Sequence, residues 1–369
     1  MGLHLIPSDT KINFVGIRKI SYAISIILIL IGLASLVVKG GPRYGIDFAG
    51  GIVVQVQFNN AVSDEEVKAA LSEANLPGLV VQSSGDDAHD YLLRIANQDN
   101  ITADQVEETI ATAFGENLPG QAFSTPRTEM VGPKVGADLR SQALQALYLA
   151  TLLMSVYISG RFENRWGTAL VMALALGGSM YVLDILGMPK FWQVPGVMAV
   201  TIGVFWWQKL AFALGAMFST IHDILITVGI FSLLDKEFDL TIIAALLTVV
   251  GYSLNDTIIV FDRIRENLLS SKDPLGDIIN RSINQTLSRT VLTSGTTLLV
   301  IVALLFLGGS IIFDFALALF IGVFVGTYSS IFVASPVLLF FEDTIRSRQE
   351  AEEEKRKRDA RLKRGTAHV

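Results

Sequence analysis

Cysteine is absent from this chain of 369 residues, and histidine is scarce. Without cysteine, neither a disulfide framework nor a thiolate metal site can form. The four histidines show no HExxH spacing, so we expect no metal centre and no other cofactor. Neither a Walker-type phosphate loop nor a GxSxG nucleophile turn occurs. The sequence therefore predicts a protein that is not an enzyme and that draws energy from an ion gradient or a partner.

Charged residues are also few, at 17% of the chain against about 25% in a typical soluble domain, whereas apolar residues make up 51%. This balance predicts a polytopic α-helical membrane protein with some soluble mass attached. A helix of ~20 apolar residues is long enough to cross a bilayer. The candidate spans are Ser21–Val38, Leu139–Ser159, Gly167–Leu186, Phe191–Trp207, Ala211–Leu234, Leu240–Phe261, Thr290–Leu307 and Ile311–Phe341. No small-residue cleavage site follows the first span, so we interpret it as a retained anchor.

Residues 39–138 form the only long polar stretch before the carboxyl-terminal tail. Period-two alternation predicts strands, and a Ser or Thr followed three residues later by Glu or Gln predicts a capped helix. The expected elements are strand 52–58, a helix capped by Ser63 with Glu66, strands 79–82 and 91–95 around a turn, helix 102–114 capped by Thr102 with Gln105, and strand 121–131. This β-α-β-β-α-β order predicts a small ferredoxin-like α+β domain outside the bilayer.

Lysine and arginine indicate the orientation of the chain. With the amino terminus inside, the short outside loops hold only Lys190 and Lys236, whereas the inside segments hold many more basic residues, which fits the positive-inside rule. The expected organisation is an inside terminus with the first span (1–38), the outside domain (39–138), the transmembrane bundle (139–341) and an inside tail (342–369). The tail carries both signs of charge, which is typical of a solvated or disordered segment; binding to a ribosome or to anionic lipids is the alternative.

Asp256 lies within the apolar run Leu240–Phe261. A carboxylate at membrane depth costs ~2.5–3.5 kcal/mol on insertion scales, and such residues usually mark ion or proton pathways. Asp256 stands six residues before Asp262, roughly 9 Å along a helix from the inside edge of the membrane. Gly251, one turn earlier, predicts a close neighbour or a local kink. We therefore expect Asp256 to carry protons.

Arg289 begins a second polar row on the next span. Arg289, Thr293, Thr296 and Thr297 share one helical face, so a guanidinium leads inward along a stripe of hydroxyls. The depth of this row is compatible with contact with Asp256, and we expect Arg289 and Thr293 to take part in proton movement. The alternative is that Asp256 and Arg289 form a buried pair with a purely structural role.

A third row lies on Ala211–Leu234, where Ser219, Asp223 and Thr227 share a face. His222 projects about 100° away from Asp223, so the two side chains need not pair. Histidine titrates near neutral pH, and His222 with Asp223 is therefore a candidate relay element. Hydrogen bonding of both side chains to nearby backbone or hydroxyl groups, without proton transfer, is an equally open interpretation.

Four motifs in register resemble those of the SecF subunits of the SecDF protein-export complex, which belongs to the resistance-nodulation-division superfamily. They are Tyr44–Gly51 (YGIDFAGG), Val131–Gly136 (VGPKVG), Gly251–Thr257 (GYSLNDT) running into Phe261–Asn267 (FDRIREN), and Asn284–Thr290 (NQTLSRT). The resemblance covers nearly the whole chain, with the motifs in the expected order.

The resemblance implies a bacterial inner-membrane subunit that pairs with SecD, each contributing six spans, and that assists the SecYEG channel in late export of preproteins. Further implied contacts are YajC, YidC and membrane lipids; nucleic acid is not expected. By this resemblance, Asp256 and Arg289 correspond to the family's proton-relay residues, and His222 and Asp223 correspond to a further polar motif of the family. The segment holding Gly45, Asp47, Gly50 and Gly51 is similar to the family's hinge between the first span and the periplasmic domain.

One region departs from the family pattern. The family motif Arg161–Glu163 is separated from its expected continuation, Phe212–Ala216, by about forty extra residues. At ~20 residues per span this is enough for one helical hairpin, over about residues 166–208, which leaves later motifs on their expected sides. Its second run, Phe191–Trp207, is short and contains Pro195.

Two other functions compete with a proton-driven export subunit. The chain could be half of a small-molecule or lipid exporter, but such an exporter needs a substrate pocket in large paired outer domains, and only about 90 residues lie outside. It could also be a non-transporting assembly scaffold, in which case Asp256→Asn would leave function intact.

Overall fold

The computed structural model describes residues 10–83, 89–96, 102–163, 166–188 and 190–351, together with residues 354 and 358. Most of the predicted turn before the 91–95 strand and most of the charged tail beyond residue 351 lie outside the described residues. In chain order the elements are α1 (Arg18–Val38), α2 (Ile46–Ala49), β1 (Gly51–Phe58), α3 (Asp64–Leu71), β2 (Val80–Ser83), β3 (Asp90–Ile95), α4 (Ala103–Asn117), β4 (Phe123–Val131), α5 (Pro133–Glu163), α6 (Trp166–Ile185), α7 (Lys190–Trp207), α8 (Ala211–Leu233), α9 (Leu240–Ser270), α10 (Leu275–Leu307), α11 (Gly309–Ser329) and α12 (Ser335–Val337).

The four strands and the helices α3 and α4 form one unit, the sheet domain (residues 51–131). Its strand order is β2-β3-β1-β4, and each neighbouring pair is antiparallel. Alternate residues of β1, including Val54 and Val56, are fully buried against α3 and α4. Both predicted capping boxes, Ser63 with Glu66 and Thr102 with Gln105, are present. The sequence therefore predicted the element order and both helix starts of this unit.

Six helices among the described residues are long and apolar enough to cross a membrane. They are α1, α5, α8, α9, α10 and a last helix over Ile312–Ala351 that includes α11. Four of them extend beyond the predicted apolar runs, because charged and polar residues occur near their ends. In particular, the run predicted from Thr290 belongs to a helix that begins at Leu275, so Arg289 lies inside a continuous helix. The loop between α9 and α10 is only residues 271–274.

The predicted inserted hairpin is helical in both arms, α6 and α7, and α7 continues through Pro195. The second arm packs on the bundle: Tyr148 and Thr201 hydroxyls lie 3.3 Å apart, and the rings of Trp206 and Phe341 meet edge to face at 4.9 Å. These two arms are not among the six helices above, so that their crossing of the bilayer stays a prediction.

Glycines bring the helices α9 and α11 into close contact. A Cβ on Gly326 would lie 2.8 Å from Ser253 Cβ, and a Cβ on Gly322 would collide with the Val249 side chain. Gly251, by contrast, has open space around it, so the described residues include no close neighbour of the kind predicted for it. A π-helical turn, Ser330–Ala334, follows α11. Such turns often occur at functional sites, and this one lies beside the polar residues of α9.

Candidate functional site

Asp256 is buried on α9, with 1% of its surface exposed. Ser294 on α10 donates a hydrogen bond of 2.9 Å to Asp256 Oδ2, and Thr327 on α11 donates one of 2.8 Å to Ser294 Oγ. Among the described residues, Asp256 Oδ1 has no hydrogen-bond partner although it is buried. A buried carboxylate oxygen without a donor is unfavourable while the group is charged. The arrangement therefore suits a carboxylate that can also exist in the protonated form.

The hydroxyls of Ser294 and Thr327 can serve both forms of Asp256. Each hydroxyl has one proton to donate, and Thr327 Oγ1 also lies 2.8 Å from the carbonyl oxygen of Val323. When Asp256 is charged, Thr327 donates to Ser294 and Ser294 donates to Asp256. When Asp256 is protonated, it can donate to Ser294, Ser294 to Thr327, and Thr327 to Val323. The same three side chains thus remain hydrogen-bonded in either state.

We expect Thr327→Val to impair the switch between the two hydrogen-bonding patterns of Asp256 more than Thr327→Ser does. Valine has the same shape but cannot accept from Ser294 or donate to it, whereas serine keeps both capacities. One such hydrogen bond is worth about 0.5–1.5 kcal/mol, so the pH at which a proton-dependent activity is half-maximal should shift by up to about one unit in Thr327→Val. The measurement is the pH profile of that activity for both variants. Equal profiles for valine and serine would show that the hydroxyl has no part in it.

Arg289 does not form an ion pair with Asp256 in the described part of the chain. Its side chain is exposed and lines an open cavity of about 380 Å³ at the end of the bundle away from the sheet domain, together with Asn255, Asp262 and Arg161. Thr293 donates to backbone carbonyls of its own helix, Arg289 O and Thr290 O, at 3.0 Å each. The hydroxyl that reaches Asp256 is thus that of Ser294, one position after the predicted Thr293.

Asp223 and His222 form a second buried cluster on α8. His222 Nδ1 lies 2.9 Å from Asp223 Oδ1, so the neighbours pair, although their backbone directions do not require it. Asp223 Oδ2 accepts hydrogen bonds from Ser253 on α9 at 2.5 Å and from Ser329 on α11 at 2.9 Å. Asp223 therefore ties α8 to α9 and α11, and it does so at the same level of the bundle where Gly326 allows the close approach of those helices.

The His222 ring extends this cluster to the first helix. His222 Nε2 lies 2.9 Å from Ser25 Oγ on α1, and the Tyr328 ring stacks on the imidazole with centroids 6.0 Å apart. Tyr328 donates to the carbonyl oxygen of Ser21 at 2.8 Å. Because Tyr328 has only that one proton, the contact of 3.2 Å between Ser25 Oγ and Tyr328 Oη uses the Ser25 proton.

The predicted hinge residues lie between α1 and β1. Gly45 N donates to the carbonyl oxygen of Phe238 at 2.8 Å, and Asp47 Oδ2 accepts from Leu240 N, at the start of α9, at 3.0 Å. Gly50 and Gly51 have φ of +77° and +142°, in the left-handed region that glycine tolerates best. The four residues are therefore of two kinds: Gly45 and Asp47 contact the bundle, whereas Gly50 and Gly51 connect α2 to β1.

Sequence reasoning missed the site residues on α1 and α11, namely Ser25, Thr327, Tyr328 and Ser329. Their only signal in the sequence is a run of hydroxyl residues in an otherwise apolar helix, which is common in packed membrane helices. Which of these hydroxyls meet a carboxylate depends on helix rotation and packing.

Residues 111–183 and 192–344 match the family described as "Protein export membrane protein SecD/SecF, C-terminal", and residues 34–62 match the "SecD/SecF GG Motif". The chain belongs to the SecD/SecF family. The second match includes the glycine-rich segment between α1 and β1. The break between the two parts of the first match, at residues 184–191, falls within the region that was predicted to be inserted.

Curated relatives named "Protein translocase subunit SecF" cover most of the chain. One from Calditerrivibrio nitroreducens is 35% identical over 349 residues, 94% of this chain and 99% of the relative. One from Pseudomonas aeruginosa is 39% identical over 334 residues, 90% of this chain and 92% of the relative. Together with the six apolar helices, these matches show a multi-pass membrane protein of the SecD/SecF family.

Two solved SecDF structures are similar to the chain. The crystal structure of SecDF, a translocon-associated membrane protein from Thermus thermophilus, gives a TM-score of 0.66 at 32% identity, covering 92% of this chain. A crystal structure of SecDF in a super-membrane-facing form gives a TM-score of 0.55 at 32% identity, covering 95%. The chain spans only 40% and 41% of those solved chains.

Proposed function

We propose that the chain is an export subunit that couples proton movement through its bundle to the late export of preproteins. The observation that carries this proposal is Asp256: it is buried within an apolar helix, one of its oxygens has no partner among the described residues, and it is linked to hydroxyls that can serve it in both protonation states. No catalytic constellation of a soluble enzyme was found in the sequence. The work of export is therefore assigned to the proton gradient, which supplies about 2.3 kcal/mol per proton at 100 mV.

Protons would reach Asp256 from the open cavity that Arg289 and Asn255 line. Asn255 immediately precedes Asp256 on α9, whereas Asp256 itself does not line the cavity, so a proton would pass through the helix surface between the two side chains. A guanidinium at this cavity favours the charged form of a nearby carboxylate, whereas burial favours the neutral form. In this proposal the positive charge of Arg289 acts on Asp256 electrostatically, without direct contact. Thr293 lies on the same helix face and does not contact Asp256.

The His222–Asp223 pair is the second element of the proposed relay. Its contacts reach α1, α9 and α11, so that a change in its charge would act on several helices at once. Ser253 links the two clusters, since it donates to Asp223 and stands three residues before Asp256 on the same helix.

The partner subunit, SecD, is proposed to cover the face between α9 and α10. Thr248, Gly251 and Asn255 follow one another along an exposed stripe of α9, beside a cavity of about 440 Å³ that Thr296 also lines. Polar side chains are costly in contact with lipid tails, and small residues allow a second helix to approach closely. The open space at Gly251 is thus assigned to a helix of SecD.

Gly251→Leu is expected to weaken association with SecD strongly while leaving the fold intact. A Cβ at this position has no described atom within 4 Å, and the rest of the leucine side chain would fill the space where the SecD helix would pack. Co-purification of SecD from mild detergent is the measurement. Gly178→Leu is the matched control, because Gly178 lies exposed on α6 with equally open surroundings. Undiminished co-purification in Gly251→Leu would place SecD elsewhere.

The remaining assignments follow from the same proposal. The sheet domain is a ferredoxin-like domain in the periplasm, both termini are cytoplasmic, and the membrane is the bacterial inner membrane. SecYEG, the translocating preprotein, YajC, YidC and lipids are proposed contacts. The helices α6 and α7 form an extra hairpin; deletion of residues 166–208 with normal export would remove any need for a functional role.

The test of the proposed function uses the chain reconstituted with its SecD in vesicles that contain SecYEG. A preprotein is arrested late in export, and its completion is followed with an imposed proton gradient and after the gradient is collapsed by an uncoupler. We expect faster completion only with both the gradient and this chain. Equal rates with and without the gradient would overturn proton coupling.

A further inference from the structure

The first turn of α9 is held by a segment that lies almost two hundred residues earlier in the chain. Residues 43–45 run beside Phe238: Phe238 N donates to Arg43 O at 2.7 Å, and Gly45 N donates to Phe238 O at 2.8 Å. Asp47 Oδ2 then accepts from Leu240 N, the first residue of α9, at 3.0 Å. The helix thus has two carboxylate caps, since Asp239 accepts from Ile242 N at 2.9 Å as well.

A second contact joins the sheet domain to the same point. Glu237, two residues before the α9 cap, forms ion pairs with Arg94 on β3 and with Arg43. Nearby, the hydrogen bond and charge of Lys39, together with Arg43, hold the pKa of the Asp235 carboxyl below its ordinary value. Charges from α1, from the sheet domain and from the loop before α9 therefore meet at the start of the helix that carries Asp256.

The glycines show where this arrangement can bend. Gly45 is packed: a Cβ there would lie 3.3 Å from Asp239 Cβ. Gly50 and Gly51 have positive φ, although a Cβ on Gly50 would lie 3.0 Å from Pro133 Cα, and Gly132, on the return link from β4 to α5, has open space around it. The two covalent links between sheet domain and bundle lie side by side, because Gly51 pairs with Val131.

We propose that Asp47 is a positioning residue that fixes the start of α9 to the Tyr44–Ala49 segment, so that movements of the sheet domain reach Asp256 along one helix. The pivot lies at Gly50, Gly51 and Gly132, whereas Gly45 and Asp47 stay attached to the bundle throughout the cycle. Leu240 and Asp256 are sixteen residues apart, about 24 Å along a continuous helix. This inference rests on the proposed function, because it assigns a mechanical input to the proposed proton site.

The first test compares Asp47→Ala with Asp47→Asn in the full chain bound to SecD. Asparagine keeps an oxygen that accepts from Leu240 N, whereas alanine does not. Hydrogen exchange of the first α9 turn is expected to be about fivefold faster in Asp47→Ala and close to wild type in Asp47→Asn. Most of the gradient-dependent increase in export should be lost in the first variant and kept in the second. Unchanged exchange in Asp47→Ala, or faster exchange with unaltered export, would overturn the proposal.

The second test joins positions 45 and 239 by a disulfide bond, so that the contact between the two segments cannot open. The chain has no cysteine, and the Cβ separation at Gly45 and Asp239 is within a few tenths of an ångström of the ~3.5–4.5 Å that disulfides require. The double variant Gly45→Cys/Asp239→Cys is compared oxidised and reduced, with each single variant as control. We expect oxidation to leave gradient-dependent export unchanged, because the contact does not open. Loss of export on oxidation, restored by reductant, would place the hinge at Gly45 and overturn the proposal.

Failure of the proposed function can be distinguished from failure of the inference about Asp47. It would appear as gradient-independent export by the wild-type chain, whereas the hydrogen-exchange comparison still decides whether Asp47 fixes the start of α9.

Discussion

Asp256→Asn is expected to abolish the gradient-dependent part of export and to leave assembly with SecD intact. The asparagine side chain has nearly the same shape as aspartate, and its oxygen can still accept the hydrogen bond from Ser294. Its amide group does not take up or release protons in the range of biological pH. Because a charge at membrane depth costs ~2.5–3.5 kcal/mol, its removal should not lower stability. The variant therefore separates the proton-carrying role of Asp256 from its place in the fold.

The measurement has two parts. Co-purification of SecD and the thermal unfolding midpoint establish that the variant is assembled, and late export is then followed with and without an imposed gradient. Asp273→Asn is the control, since Asp273 lies in the short loop after α9, outside the cavity that Arg289 lines, and forms a half-exposed ion pair with Arg281. Exposed pairs contribute only about 0–1 kcal/mol, so this control should export normally. If Asp256→Asn keeps the gradient-dependent step, the buried charge is structural and the scaffold hypothesis is favoured.

The local elements of the sheet domain could be predicted from sequence because their signals are short-range. A capping box needs only Ser63 and Glu66, or Thr102 and Gln105, three residues apart, and both are present. Apolar runs likewise located the six helices that are long and apolar enough to cross a membrane, whereas the crossing of the two hairpin arms stays a prediction. They did not give the helix ends, because beyond the bilayer α5, α9 and α10 continue as amphipathic helices whose polar faces interrupt the apolar pattern.

The candidate site could be predicted only in part, because its contacts depend on helix rotation. One position along a helix turns a side chain by about 100°, and this difference separates Thr293, which bonds its own backbone, from Ser294, which reaches Asp256. The sequence thus indicated the carboxylate and the correct helix but not the hydroxyl. The Asp47 cap joins residues 193 positions apart, and no local pattern signals such a contact.

Asp223→Ala is expected to destabilise the bundle by about 3 kcal/mol or more. Asp223 is 1% exposed and accepts from three buried donors, and each donor left without a partner costs about 1–3 kcal/mol. Rotation of the serine hydroxyls to backbone carbonyls recovers part of this cost, since Ser329 already lies 3.1 Å from Gly326 O. The unfolding midpoint of the SecD-bound chain should fall by several degrees. Asp314→Ala, at a partly exposed ion pair with Lys236, is the control and should change it little.

Asp223→Asn distinguishes the two interpretations of the His222–Asp223 pair. The amide oxygen can accept from His222, and the amide nitrogen can donate to the oxygens of Ser253 and Ser329, so the contacts among α8, α9 and α11 are kept. The negative charge beside the imidazole is lost, and the amide neither takes up nor releases protons in the range of biological pH. We therefore expect normal assembly with loss of the gradient-dependent step, because a proton can no longer bind at this side chain. Normal export by Asp223→Asn, together with instability of Asp223→Ala, would show instead that Asp223 only ties the helices together and that Asp256 carries protons without it.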